Sequence, residues 1–183
     1  MVVRAVRELR KAEPKMKQLY VPTKLAYVKG ERPDVECIFC AVSSKDKNVE
    51  KLEVCRTKRW VASVNLHPYN VGHILLFPIR HTVDVRDLTK AETAELHSLQ
   101  ALSLDVLDAV YGPAGYNIGF NIGRPAGASI EHLHLHIVPR YYNEAGFMDI
   151  LSDTRTIVED PKRTIPKLRK AFRRLTAKPA GKK

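Results

Sequence analysis

The sequence predicts an α+β fold in which an antiparallel sheet packs against one long helix. Three observations carry that expectation. The stretch EHLHLHIVPR (131–140) sets His132, His134 and His136 in strict alternation with Leu133, Leu135 and Ile137, the period of a strand whose side chains point to opposite faces in turn. DLTKAETAELHSLQALSLDVLDAVY (87–111) repeats its apolar residues at helical spacing. KLEVCRT (51–57) and WVASVN (60–65) are two strand-like runs in close succession. Hairpin-linked strands around one long helix argue for antiparallel pairing.

The elements follow in order. Val2, Val6 and Leu9 recur at helical spacing until Pro14, so residues 1–18 read as an amphipathic helix. KLAYVKGERPD (24–34) reads as an extended arm, CIFCAV follows, and SSKDKN (43–48) is a polar loop. After the paired strands, HILLFPI (73–79) is a buried strand. In the long helix Thr89 and Glu92 form a capping box, and Leu96, Leu99, Val106, Leu107 and Val110 make the inner stripe. YNIGFNIG (116–123) is a further strand, GRPAGAS a Gly-rich loop, and the histidine strand completes the sheet. Residues 163–175 read as a basic helix and AKPAGKK as a disordered tail.

With 183 residues, the chain is expected to form one domain with extensions: a helix and arm at 1–30, the body at 31–160, and a basic helix and tail at 161–183. No run approaches the ~20 apolar residues of a membrane span, and the charged opening lacks a signal-peptide stretch. Glu8 and Glu13 interrupt any presequence-like helix. A soluble cytoplasmic protein without membrane partners is expected. The net charge of +11 lies at the ends: residues 1–30 carry +6, residues 161–183 carry +10, and the body carries −5. These ends read as solvated, with nucleic acid not expected as a partner.

The first and last histidines of 132, 134 and 136 would sit ~13 Å apart along a strand, with parallel side chains. Three such rings do not converge on one ion with ~2 Å bonds, so different tasks are expected of them. Cys37 and Cys40 form CxxC, which is redox-active, half of a zinc site, or a pair of buried thiols. No βαβ context supports the redox reading. For zinc, His81 and His132 are the candidate complement. Cys55 reads as a small core residue. The NIGRPAGAS loop, just before His132, can let its backbone approach an anion, with Ser129 as a further donor.

Together these residues resemble the histidine-triad superfamily. HLHLHIV fits its pattern of histidines and apolar residues, continued by Pro139 and Arg140, and CIFC, NLHPYNVGH, FPIRH and NIGRPAGAS extend the likeness from about Tyr20 to Phe172. The LYVPTKLAYVKG opening is most similar to the diadenosine tetraphosphate phosphorylase-type branch. The resemblance implies a sheet of about five strands with terminal helical extensions, and nucleotidyl transfer through a histidine adduct. It assigns His134 as nucleophile on the α-phosphorus of an AMP-containing nucleotide and His136 as its electrostatic helper. It also implies a structural zinc on Cys37, Cys40, His81 and His132, and nucleotide contacts by Asn65, Asn121, Gly127 and Ser129. His73 is placed behind the triad as a hydrogen-bonding support of the nucleotide site. A homodimer or higher homo-oligomer is implied as well.

One departure stands out. Related dinucleoside polyphosphate hydrolases carry glutamine where this chain has Ala128. The smaller side chain leaves room for another acceptor, inorganic phosphate. Phosphorolysis of diadenosine tetraphosphate to ADP and ATP is therefore the expected activity. Hydrolysis of AMP–amine or other adenylates, and removal of AMP from nucleic-acid ends, are the alternatives.

Overall fold

The structure is a computed structural model and describes residues 33–142, 144 and 159–177. The expected N-terminal helix, nearly all of the arm, and residues 178–183 lie outside the described residues. The elements run α1 (Ile38–Ser43), β1 (Glu53–Arg56), β2 (Trp60–Val64), β3 (Ile74–Pro78), α2 (Lys90–Tyr111), β4 (Gly115–Phe120), β5 (Leu135–Arg140) and α3 (Pro161–Thr176). The five strands form one sheet in the order β1-β2-β3-β5-β4, with every neighbouring pair antiparallel. The histidine strand thus lies inside the sheet, and β4 forms its edge.

The start of α2 is set by the capping box: Thr89 accepts from the Glu92 amide, and the Glu92 carboxylate accepts from the Thr89 amide at 2.8 Å. Gly112, in the left-handed region at φ 53°, ends the helix. Glu92 also accepts from Arg80 at 2.9 Å, and its backbone oxygen accepts from the Trp60 indole at 2.9 Å. Bonding to Arg80, above all, holds Glu92 down at about 2 despite its burial. One residue thereby ties the helix to β2 and to the chain leaving β3.

The two sheet faces differ. On one, Leu96, Leu99, Val106 and Leu107 of α2 and Ile165, Leu168, Ala171 and Phe172 of α3 pack on Trp60, Ala62, Ile74, Leu76, Leu135 and Ile137. Cys55 packs at the rim of this core, as expected. On the other, α1 delivers Phe39 onto Val61, Leu75 and Phe77. The histidines stand on this second face, since His136 lies opposite Leu75 in the ladder.

CIFC, for which the sequence predicts no element, opens the short helix α1, with Cys37 at its N-cap position. Two local expectations are corrected. The basic helix starts at Pro161, earlier than residue 163, with Asp160 accepting from the Lys162 amide at 2.8 Å. The histidine strand begins only at Leu135. The Leu133 amide donates to the Thr82 carbonyl at 2.6 Å, and the His132 carbonyl accepts from the His134 ring at 2.7 Å. Both groups are thereby taken from ladder pairing, so His132 and His134 precede the strand and only His136 lies in it.

Candidate functional site

Helix α1, the end of β3 and the approach to β5 meet at four side chains. Cys37, Cys40, His81 and His132 bring one ligand atom each to within 4.8 Å of one another. The Cys37 sulfur lies 3.3 Å from His132 Nδ1, and the Cys40 sulfur lies 3.3 Å from His81 Nδ1. His132 Nε2 meets the Pro78 carbonyl at 2.9 Å. A carbonyl can only accept, so that nitrogen carries the proton and Nδ1 turns its lone pair to the thiols. Burial holds the His132 ring neutral, pushed down to about 4. Burial and then the Cys37 thiol push Cys40 up to about 11. A divalent cation among these donors would reverse that balance. Two thiols and two imidazoles, one of them held by a backbone carbonyl with its lone pair toward the sulfurs, suit tetrahedral zinc.

The remaining triad members form a second group. The His134 and His136 rings lie 4.9 Å apart, and Phe39 reaches to 5.1 Å from the His134 ring. His134 donates from Nδ1 to the His132 carbonyl at 2.7 Å. Its proton is therefore fixed on Nδ1, and Nε2 keeps a free lone pair. Burial lowers its basicity, so the ring is neutral near pH 7.

His136 is set by a relay. The Tyr69 amide donates to His73 Nδ1 at 3.0 Å, which leaves the His73 proton on Nε2. That nitrogen lies 3.0 Å from His136 Nδ1, so His136 accepts there and carries its own proton on Nε2. Burial, reinforced by His136 and His134, pushes His73 down to about 3. Burial, reinforced by His134, pushes His136 down to about 4. The resulting His136 Nε2–H is buried and has no hydrogen-bond partner among the described residues, leaving a donor ready for an anionic oxygen.

The nucleotide candidates divide. Asn65 is joined to the relay, with Nδ2 3.3 Å from His73 Nδ1, and its side-chain oxygen accepts from the His67 amide. His73 is 1% exposed and meets the triad through His136. Gly127, in the left-handed region at φ 90°, sits against Asn121, whose amide nitrogen would lie 3.5 Å from an added Cβ. Ser129 is exposed. The amides of Ala126, Gly127 and Ala128 donate within the turn, to Gly123 and Arg124 carbonyls. A tight 3₁₀ turn (Arg124–Ala126) thus uses these three amides within the loop itself. Asn121 and Ala128 line a cleft of about 300 Å³ that continues past Asp84 to His132.

Three participants were not singled out from sequence. Tyr69 stacks on His136 with centroids 5.8 Å apart at 18°, and Phe39 lies at the other flank. Asn70 is the third. It is buried, and donates to the Pro139 carbonyl at 3.0 Å and to Glu144 at 2.7 Å. The PYN run between Asn65 and His73 was the available signal, but its contacts are to distant segments.

An antiparallel α+β domain with a two-cysteine, two-histidine group beside a histidine cluster defines a class of protein, and comparison places it. A HIT domain family model matches residues 46–143, and the chain belongs to that family. The AP-4-A phosphorylase of Mycobacterium tuberculosis is 40% identical over 129 residues, 70% of this chain and 62% of that protein. The chain thus spans less than two thirds of that relative's length. The asymmetrical bis(5'-nucleosyl)-tetraphosphatase of Schizosaccharomyces pombe is 38% identical over 85 residues, 46% of this chain and 47% of that one. A Zn-bound histidine triad family protein from Mycobacterium smegmatis has a similar structure, with TM-score 0.63 and 26% identity over 78% of this chain and 96% of the other. Among the described residues no helix is long and apolar enough to cross a membrane.

Proposed function

We propose that the chain is a nucleotidyl transferase that splits dinucleoside polyphosphates by phosphorolysis, with diadenosine tetraphosphate giving ADP and ATP. The observation that carries this reading is the 2.7 Å bond from His134 Nδ1 to the His132 carbonyl, which presents Nε2 as an uncharged nucleophile. Nε2 attacks the α-phosphorus, a P–N bond forms, and the P–O bond to the departing ATP breaks. An oxygen of inorganic phosphate then attacks the same phosphorus. The P–N bond breaks and ADP leaves.

His136 Nε2–H donates to a non-bridging oxygen as negative charge grows in the transition state, and the His73 relay fixes that orientation. Asn121 and Ser129 hold phosphate groups, Gly127 with no side chain lets a phosphate come close to the loop, and Asn65 contacts the ribose. The space at Ala128 is where the acceptor phosphate enters, and a bound acceptor outcompetes water through its effective concentration. The likeness to the AP-4-A phosphorylase supports the substrate class. Cys37, Cys40, His81 and His132 hold a structural zinc, which supplies cross-linking of α1 to the sheet. We assign catalysis to residues 31–160, with 1–30 and 161–183 as extensions, and working chains to a cytoplasmic homodimer or higher homo-oligomer.

Labelled inorganic phosphate supplied with diadenosine tetraphosphate tests the acceptor. Label is expected in ADP, with little free AMP. Products without label, formed at a rate indifferent to phosphate, contradict phosphorolysis.

A further inference from the structure

The charge pattern predicts a solvated basic end at the C-terminus, yet one side of its helix α3 is docked on the sheet. Ile165, Leu168, Ala171 and Phe172 of α3 are buried in the main core. The helix carries seven Lys/Arg and no acid. Lys162 pairs with Glu50 and Lys167 with Glu159. Arg169 is held on the carbonyls of Glu53 and Lys51 at 2.8 and 3.0 Å. The other four, Arg163, Lys170, Arg173 and Arg174, are exposed, and none has an acidic partner among the described residues.

These four share one side of the helix. At ~100° per residue they fall within roughly a third of the turn, opposite the buried stripe. Arg163 to Arg174 spans ~16 Å at 1.5 Å per residue, the axial length of about five phosphates on one strand of a duplex. Because docking fixes the helix, the cations form a set array and not the shifting charge of a loose tail.

We propose that this face of α3 binds the phosphodiester backbone of a nucleic acid, without reading its sequence. Two other anionic partners fit less well. A membrane-surface helix inserts its apolar face, whereas that of α3 is already buried under the sheet. A protein interface is anchored by buried aromatic or aliphatic side chains, and the outer face of α3 offers only cations, Pro166 and Thr176. Phosphate contacts need cations and no apolar anchor. The face also lies across the sheet from the histidines, so the nucleic acid is a docking partner and not the substrate.

The test uses the full chain and short labelled RNA and DNA duplexes, with anisotropy read from about 50 to 200 mM salt. The variant Arg163→Gln, Lys170→Gln, Arg173→Gln, Arg174→Gln changes only exposed side chains, and an unchanged circular dichroism spectrum and melting temperature certify its fold. Wild-type affinity is expected to exceed that of the variant at least tenfold at the lowest salt. The slope of log K against log salt should be about 3 to 4 steeper for the wild type, at ~0.9 per phosphate contact. The charge-keeping variant Arg163→Lys, Arg173→Lys, Arg174→Lys should bind as wild type does. RNA bound in preference to DNA, or the reverse, would identify the source of the backbone. Equal affinity of the glutamine variant and the wild type overturns the proposal. So does capture by anionic vesicles without duplex binding, or competition between the duplex and a nucleotide substrate.

Discussion

His134 has its tautomer set by a single hydrogen bond, and its neighbour His136 by a relay of two. With His134 Nδ1–H tied to the His132 carbonyl, only Nε2 is free to react. His134→Ala should lower turnover by on the order of 10⁴-fold or more while nucleotide binding, measured by calorimetry, changes little. A variant that keeps activity within tenfold would remove His134 from the chemistry. Burial holds His134 below its ordinary value, so the acid limb of the kcat/KM profile, which reports the free protein, belongs below pH 6.5. A limb at or above that value contradicts a buried neutral nucleophile. The alternation of HLHLHIV announced that the histidines act as a set, and CxxC announced a thiol pair. The direction of the relay was not legible, because it begins at the Tyr69 amide and passes through two rings 63 residues apart.

At the scale of elements, α1 is six residues long and joins the sheet through Phe39 and the Cys37–Cys40 pair. So short a helix has little stability of its own. Purified protein is expected to contain about one zinc per chain. Cys37→Ser or chelation should lower both zinc content and melting temperature, because ligand binding energy becomes folding energy. Carefully reduced protein without zinc would contradict this. The opposite case is α3. Phe172, 1% exposed, lies in the main core, so Phe172→Ala should cost about 3–5 kcal/mol in urea unfolding. A loss under ~1 kcal/mol would mean the helix is an appendage after all. Helix α2 was readable almost to the residue, since its capping box and apolar stripe are local signals. The start of β5 was not, because the Thr82 carbonyl and the His134 ring divert its backbone groups through space.

For the whole molecule, the histidines make stability depend on pH. His73 is pushed down to about 3 and His136 to about 4 in the folded state, against an ordinary value near 6.5. Below pH 6.5 the unfolded chain binds protons that the folded chain refuses. Their contribution is therefore complete above that pH and is lost as pH falls toward 4 and 3. For His73 alone the loss approaches ~1.4 kcal/mol per pH unit. Urea midpoints should fall steadily from pH 7 to 5, and a flat profile would show that these rings are protonated in the folded protein.

Sheet topology, site and charge come together in one molecule with the histidine cluster on one face of the sheet and the basic side of α3 beyond the other. The central claim is the covalent one: the nucleotide passes through His134. Intact-mass analysis of protein quenched early in turnover with diadenosine tetraphosphate measures it directly, with peptide mapping to locate the addition. A mass increase of one AMP on His134, absent in His134→Ala and discharged by added phosphate, is the expected result. Undiminished turnover with no adduct, or an adduct on another residue, would contradict it.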